Sequence, residues 1–324
     1  MTVGRSTDDS RTTAIDATPE TENGFYRRGT VPYMIVSGSA SQSLAASLAA
    51  ETGLDLAAVE YRRFPDGELL AAVPGFDGER AVVVASTVSA DAHIELLQLH
   101  DAVREAGAEE IITVLPYMGY ARQDKPLQPD APKEGATPGY PISARAVARA
   151  IGGGSDRVVL VNPHEDAVAD FFGVPTDVID AAPLLAEPLP DDLADPLFLA
   201  PDEGAIDLAA TVRDAYGAGE TDHFEKVRRG GADVEITPSD AAVEGRDVVV
   251  VDDIVATGTT MSESIAALRD RGIERSFVAC VHPVLARDAR TKLARAGVAA
   301  IYATDTVERS VSTVSAAPAV AERL

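Results

Sequence analysis

The sequence predicts an α/β protein of two domains, each a mainly parallel sheet flanked by helices. Three observations carry this. Short runs of Val, Ile and Leu alternate with stretches of helical period along both halves of the chain. Runs such as Val248-Val249-Val250-Val251 are apolar at every position, as strands buried on both faces of a parallel sheet are. The 324 residues are enough for two cores of ordinary size.

Residues 1–33 are polar, without periodicity, and are expected to be a disordered tail. Met34-Ile35-Val36-Ser37-Gly38 is a strand and turn, and Met34 could itself be the start of the fold. Ser41 to Ala50 reads as a helix. Leu56 to Arg62 and Leu69 to Val73 read as strands around Phe64-Pro65-Asp66-Gly67-Glu68, a turn by its Pro and Asp-Gly. Then come a strand at Ala81–Ala85, a helix at Ala92–Ala106 and a strand at Ile111–Leu115. Pro126 to Pro141, rich in Pro and Gly, reads as a long mobile loop. A helix at Ile142–Ile151, a strand at Arg157–Val161 and a helix through Phe171 and Phe172 complete a first domain, 34–174.

The second domain, 175–305, repeats the alternation, although no clear sequence repeat accompanies it. Leu197–Ala200 is a strand, followed by Pro201-Asp202 and a helix through Val212. His223–Arg228 and Val234–Ile236 read as paired strands. The valine run follows, then a helix, then strands at Ser276–Val281 and Ala299–Tyr302 around a helix at Ala286–Ala296. Residues 306–324 are expected to pack back on the first domain.

Acidic residues outnumber basic ones, 52 to 28, for a net charge of -24. Such a surface repels nucleic acid and anionic membranes, which excludes both as partners. No apolar run is long enough to span a membrane and no signal-peptide pattern opens the chain, so a cytoplasmic protein is expected. Low Lys with high Asp, Glu, Ala and Val resembles proteins of salt-adapted cytoplasms. The single cysteine, Cys280, lies in an apolar run and reads as a buried structural thiol.

The chemistry concentrates at Asp252-Asp253-Ile254-Val255-Ala256-Thr257-Gly258-Thr259-Thr260. Two carboxylates stand where the valine strand reaches the carboxyl edge of its sheet, the usual ligand edge. Thr260 and Glu263 have the spacing of a capping box, so a helix should start at the turn. Backbone N–H groups at such a start can cradle a phosphate, and the hydroxyls add donors. A bare Asp-Asp pair would be two solvated carboxylates; the strand, acidic pair, Thr-Gly-Thr-Thr and helix together point to a ligand.

This stretch resembles the phosphoribosyl pyrophosphate (PRPP) loop of phosphoribosyltransferases and PRPP synthetases. From about Met34 to Asp305 the chain resembles the PRPP synthetases, ribose-phosphate diphosphokinases. The motifs are Phe64-Pro65-Asp66-Gly67-Glu68, Tyr120-Ala121-Arg122-Gln123-Asp124-Lys125, the His164 segment ending in Phe171-Phe172-Gly173, Pro201-Asp202, Lys226-Val227-Arg228 and the loop. Simple phosphoribosyltransferases share only the loop. The resemblance implies two phosphoribosyltransferase-like domains and one reaction: ATP and ribose 5-phosphate give PRPP and AMP. It implies Mg²⁺, a hard cation suited to bridging phosphates, and a homo-oligomer.

By resemblance, Phe64, Asp66 and Glu68 form the adenine site, and Arg122 and Gln123 contact ATP. His164 and Asp202 serve the metal site, His164 as a metal or phosphate ligand. Lys226 and Arg228, which alternate on one face of a strand, stabilise the transition state. Asp252 and Asp253 face the ribose hydroxyls, with Thr257, Gly258, Thr259 and Thr260 on the 5-phosphate. His93, His100, His223 and His282 read as structural or solvated.

Three departures stand out. Asn162 occupies the place of an aspartate found in many family members, as in the archaeal branch, and this bears on one metal contact. Glu203 and Ala205 replace small residues after Pro201-Asp202, and the long loop is extended by Asp130–Thr137. The alternatives are a phosphoribosyltransferase consuming PRPP, or an inactive regulatory subunit that has lost its catalytic basic residues.

Overall fold

The computed structural model describes residues 33–126, 139–228, 234–237 and 241–324, with only the backbone described over 225–228 and 234–237. The expected tail and most of the long loop lie outside the described residues. In chain order the elements are β1 (Tyr33–Ser37), α1 (Gln42–Thr52), β2 (Asp55–Leu56), β3 (Glu60–Arg63), β4 (Leu69–Ala72), β5 (Arg80–Val84), α2 (Ala90–Glu105), β6 (Glu110–Leu115), α3 (Ser143–Gly152), β7 (Arg157–Val161) and β8 (Thr176–Ile179). They continue with β9 (Leu197–Ala200), α4 (Ile206–Tyr216), β10 (Glu220–His223), β11 (Glu225–Arg228), β12 (Val234–Thr237), β13 (Val248–Ile254), α5 (Thr259–Asp270), β14 (Ser276–His282), α6 (Ala289–Ala296), β15 (Ala300–Thr304), β16 (Ser312–Val314) and α7 (Ala317–Ala321).

Two six-stranded sheets result, in the orders β2-β1-β5-β6-β7-β8 and β10-β9-β13-β14-β15-β16. Every pairing within them is parallel. Each order is the same path: the second strand returns beside the first, and the rest add on the other side. Each sheet also has an antiparallel pair inserted after its second strand, β3–β4 in one and β11–β12 in the other. The halves are therefore structural repeats, and each has a switch point at its first strand, where ligands of open α/β sheets bind.

The continuous apolar runs follow from burial on both faces. Val82, Val84, Ile112, Val114 and Val159 belong to a core shared with Phe198, Val249, Val251 and Ala279 of the second sheet. The alternate residues Val83, Ile111, Leu115, Val158 and Leu160 pack against the first sheet's own helices, with Leu96, Leu99 and Ile151. Val248, Val250, Val278 and Cys280 do the same in the second half. Cys280 is fully buried, and burial pushes its thiol pKa up. The two domains thus share one hydrophobic layer.

Several expected boundaries move. The first domain does not end at 174: β8 pairs with β7 through Val158↔Thr176 to Val161↔Ile179 and is the last strand of the first sheet. Strand β16 pairs with β15 in the second sheet, while α7 packs against α1. The helix expected through Phe171 is a short 3₁₀ segment, Asp166–Phe171. The strand expected over His223–Arg228 is two. β10 joins the main sheet beside β9, Phe224 turns in to be buried, and β11 leaves as half of the antiparallel pair.

Helix α1 shows how the second half reaches the first. The hydroxyl of Ser41 accepts from the Ser86 amide at 2.8 Å and so does not cap the helix. The carboxylate of Glu308, beyond β15, accepts instead from the amides of Ser43 at 2.5 Å and Leu44 at 3.4 Å. A carboxylate at a helix N-terminus satisfies orphan donors and the helix dipole together.

Candidate active site

The loops after β6 and β7 meet those after β9 and β13 across a cleft of about 180 Å³. Arg122 and His164 line it from the first domain. Pro201, Asp202 and the whole stretch Asp252–Met261 line it from the second.

Helix α5 starts at Thr259 with Gly258 before it in the left-handed region, φ +65°. No side chain caps this helix, so the expected capping box between Thr260 and Glu263 does not form. Thr259 and Thr260 already lie inside the first turn, which puts Thr260 too far along to serve as a cap. The first amides of α5 are left without a side-chain acceptor at the edge of the cleft. The helix starts at the turn as expected, without the motif that suggested it.

Asp252 and Asp253 end β13 as partly buried carboxylates. The Asp253 amide donates to Asp252 Oδ1 at 3.0 Å, and the Ile254 amide to Asp253 Oδ1 at 2.7 Å. Asp253 Oδ2 accepts from His164 Nδ1 at 2.7 Å, across 89 residues of sequence. This hydrogen bond raises the His164 pKa above its ordinary value, against the opposing effect of burial. Burial alone would push Asp253 up, but its bonds to His164 and Asp252 bring it below the usual range. Burial and the charge of Asp253 push Asp252 well above it. Two carboxylates in one site divide in this way because like charges resist sharing it.

Asp202 opens a 3₁₀ turn, Glu203–Ala205, with Oδ1 accepting from the Gly204 amide at 3.1 Å. The capping role and the place in the cleft coexist, as expected for it. Gln123 is turned differently. Its Oε1 accepts from the Ser143 hydroxyl at 2.7 Å and its carbonyl from the Ala144 amide, holding the start of α3, and it does not line the cleft.

Residues 33–152 match the model of the N-terminal domain of ribose phosphate pyrophosphokinase, and residues 181–315 that of the phosphoribosyl transferase domain. Over 292 residues the chain is 64% identical to a ribose-phosphate pyrophosphokinase of Halobacterium salinarum, covering 90% of this chain and 100% of that protein. The chain belongs to the ribose-phosphate pyrophosphokinase family. A ribose-phosphate pyrophosphokinase of Methanosarcina acetivorans is 43% identical over 90% of this chain and 98% of its own length. The crystal structure of phosphoribosylpyrophosphate synthetase from Mycobacterium smegmatis superposes with a TM-score of 0.74 at 27% identity, over 90% of this chain and 97% of that one.

As a member of the ribose-phosphate pyrophosphokinase family, the chain brings Arg122, His164, Asp202, Asp252, Asp253 and Thr257–Thr260 into one cleft. It does not bring Phe64, Asp66 and Glu68 there. They form the tip of the β3–β4 hairpin, where the Phe64 amide donates to the Glu68 carbonyl at 2.9 Å and the Glu68 amide to Asp66 Oδ1 at 3.1 Å. Phe64 is 39% exposed. The hairpin rests on α2, through Gln98 bonding both Ala71 and Leu69 and through the Arg63–Asp91 ion pair. Lys226 and Arg228 lie two apart on β11, as their spacing predicts.

Sequence reasoning missed Lys292. Its ammonium on α6 donates to Thr259 Oγ1 at 3.0 Å while pairing with Asp288 at 3.2 Å, so a cation stands beside the turn that opens α5. Nothing in the local sequence of α6 signals this. Only the packing of α6 against α5 brings it about.

Proposed function

We propose that the chain transfers the pyrophosphoryl group of ATP to the anomeric hydroxyl of ribose 5-phosphate, giving PRPP and AMP. The observation that carries this is the cleft itself, in which an uncapped helix start, an acidic pair and a histidine–aspartate bond come together from two domains. The acceptor's 5-phosphate takes the amides and hydroxyls of Thr257–Thr260, and the ribose hydroxyls take Asp252 and Asp253. ATP lies toward the first domain, with Arg122 on its phosphates, since a guanidinium fork matches phosphate oxygens. Lys226 and Arg228 stabilise the charge that develops on the moving phosphoryl oxygens.

The residues present fit Mg²⁺. Among the described residues no three His, Cys, Asp or Glu side chains form a ready cage. Mg²⁺ does not need one, because it keeps waters and binds one or two carboxylates together with substrate phosphates. Asp202 and the Asp252–Asp253 pair are such oxygen donors, and a cation there offsets the like charges of the pair. Asp202, Asp252 and Asp253 would hold the ion, which would supply positive charge against that of the polyphosphate. His164 can serve a phosphate or the metal. Its Nδ1 donates to Asp253, which leaves Nε2 as the ring atom available to a ligand.

A phosphoribosyltransferase reading accounts for 181–315 and leaves the first domain without a role. An inactive subunit would have lost these cleft residues or its basic pair; Lys226 and Arg228 are present. The test is turnover with Mg²⁺ across a range of salt. Equal amounts of AMP and PRPP from ATP and ribose 5-phosphate are expected; ATP consumed without PRPP would overturn the proposal.

A further inference from the structure

Asn162 stands where β7 leaves the first sheet, two residues before His164, and it does not line the cleft. Its φ of +37° lies in the left-handed region, which Asn and Asp tolerate better than other side chains. All of its polar groups are used. Nδ2 donates to Asp180 Oδ1 at 2.6 Å, and Oδ1 accepts from the Ala181 amide at 2.7 Å. Its own amide donates to the Ile179 carbonyl at 3.0 Å, and its carbonyl accepts from His282 Nε2 at 2.9 Å. These partners lie at the end of β8, on the connection between the domains, and at the end of β14.

His282 is buried, and both its ring nitrogens are bonded. A carbonyl can only accept, so Nε2 carries the proton. Nδ1 lies 2.9 Å from the Thr306 hydroxyl, which also meets the Val281 carbonyl at 2.8 Å, and burial lowers the pKa of the ring. His282 also pairs in register with Ile254, and its carbonyl accepts from the Val255 amide at 3.2 Å. A continuous set of bonds therefore runs from the segment after β7, which carries His164, to β13, which carries Asp253, and the turn beyond it.

We propose that Asn162 is a positioning residue: by tying the end of β7 to Asp180, Ala181 and His282, it sets the place of His164 against Asp253 and the phosphate turn. This rests on the proposed function of the cleft. The amide is required because it offers a donor to Asp180 and an acceptor to Ala181 at once. An aspartate keeps the acceptor and the backbone conformation but puts a second carboxylate against Asp180.

The test uses the full chain in high salt. Asn162→Asp is expected to lower kcat about 10²-fold, the cost of a small misplacement of a reacting group, with KM for each substrate changed far less. Asp180→Asn alone costs less. Combined with Asn162→Asp it should recover at least tenfold, because the pair is then restored in reverse, with the amide donating from position 180 to the carboxylate at position 162. His282→Leu, which loses the donor to the Asn162 carbonyl, provides a second route: it should lower kcat, and His282→Gln, which keeps an amide donor, should recover it. A merely structural role would not move the ¹⁵N signals of the His164 ring in the folded, metal-free protein. Asn162→Asp should shift them and leave those of His100 in place. Unchanged kcat and unchanged His164 signals, or a double variant no better than Asn162→Asp, would overturn the proposal. Should the wild type make no PRPP, the function proposal falls, and the His164 signals still decide the role of Asn162.

Discussion

Gly258→Ala separates backbone cost from phosphate binding. Gly258 has φ +65°, and a Cβ there would sit 3.3 Å from the Ala289 carbonyl oxygen and 3.4 Å from its Cβ, on α6. Gly217, which ends α4, has φ +85° with nothing within 4 Å of a Cβ. Each alanine carries the left-handed cost of about 1–2 kcal/mol, so both variants should melt a few degrees low. Only Gly258→Ala must also push the turn away from α6 and shift the amides of Thr259 and Thr260. A hydrogen bond to a charged group contributes about 1.5–3 kcal/mol, so losing one raises KM for ribose 5-phosphate by about 10- to 100-fold. KM for ATP should stay within about threefold, since Arg122 lies on the other wall. The assay is initial rates for each substrate with thermal melts of both variants. If the two variants lose stability alike and show the same KM for ribose 5-phosphate, the turn does not hold the phosphate and the reasoning fails.

Asp253→Ala should damage ribose 5-phosphate binding more than ATP binding, and should also free His164 from its partner; equal losses in calorimetric titrations would count against the assignment. Lys226→Ala should cost about 10²–10³ in kcat with little change in either KM, and a near-normal kcat with a raised KM would make it an ordinary binding residue. His100, whose Nε2 meets Thr113 Oγ1 at 2.8 Å, has its pKa lowered to about 4 by burial and by Arg104. Its folded pKa lies below its unfolded value, so the unfolded chain binds more protons between about 4 and 6.5. The stability this site contributes is therefore present above pH 6.5 and is lost as pH falls toward 4, by about 3 kcal/mol. His100→Gln should flatten that part of the pH dependence of melting, and an unaltered slope would exclude His100 as its source.

Much of this was legible in the linear sequence. Strands buried on both faces leave unbroken apolar runs, so the valine run, its sheet edge and the acidic pair beyond it could be read locally, as could the alternation that makes both sheets parallel. The turn between β13 and α5 was legible for the same reason, because it is built from consecutive residues. Tertiary structure alone decided what depends on partners distant in sequence. His164 meets Asp253 across 89 residues and His282 meets Asn162 across 120. Lys292 reaches Thr259 only because α6 packs on α5. Local signals misled where such partners compete. Thr260 had the spacing of a cap but lies inside its helix. A hydrogen-bonding group takes whichever partner the fold brings within about 3 Å, and a motif's spacing records only those partners that are its neighbours in sequence.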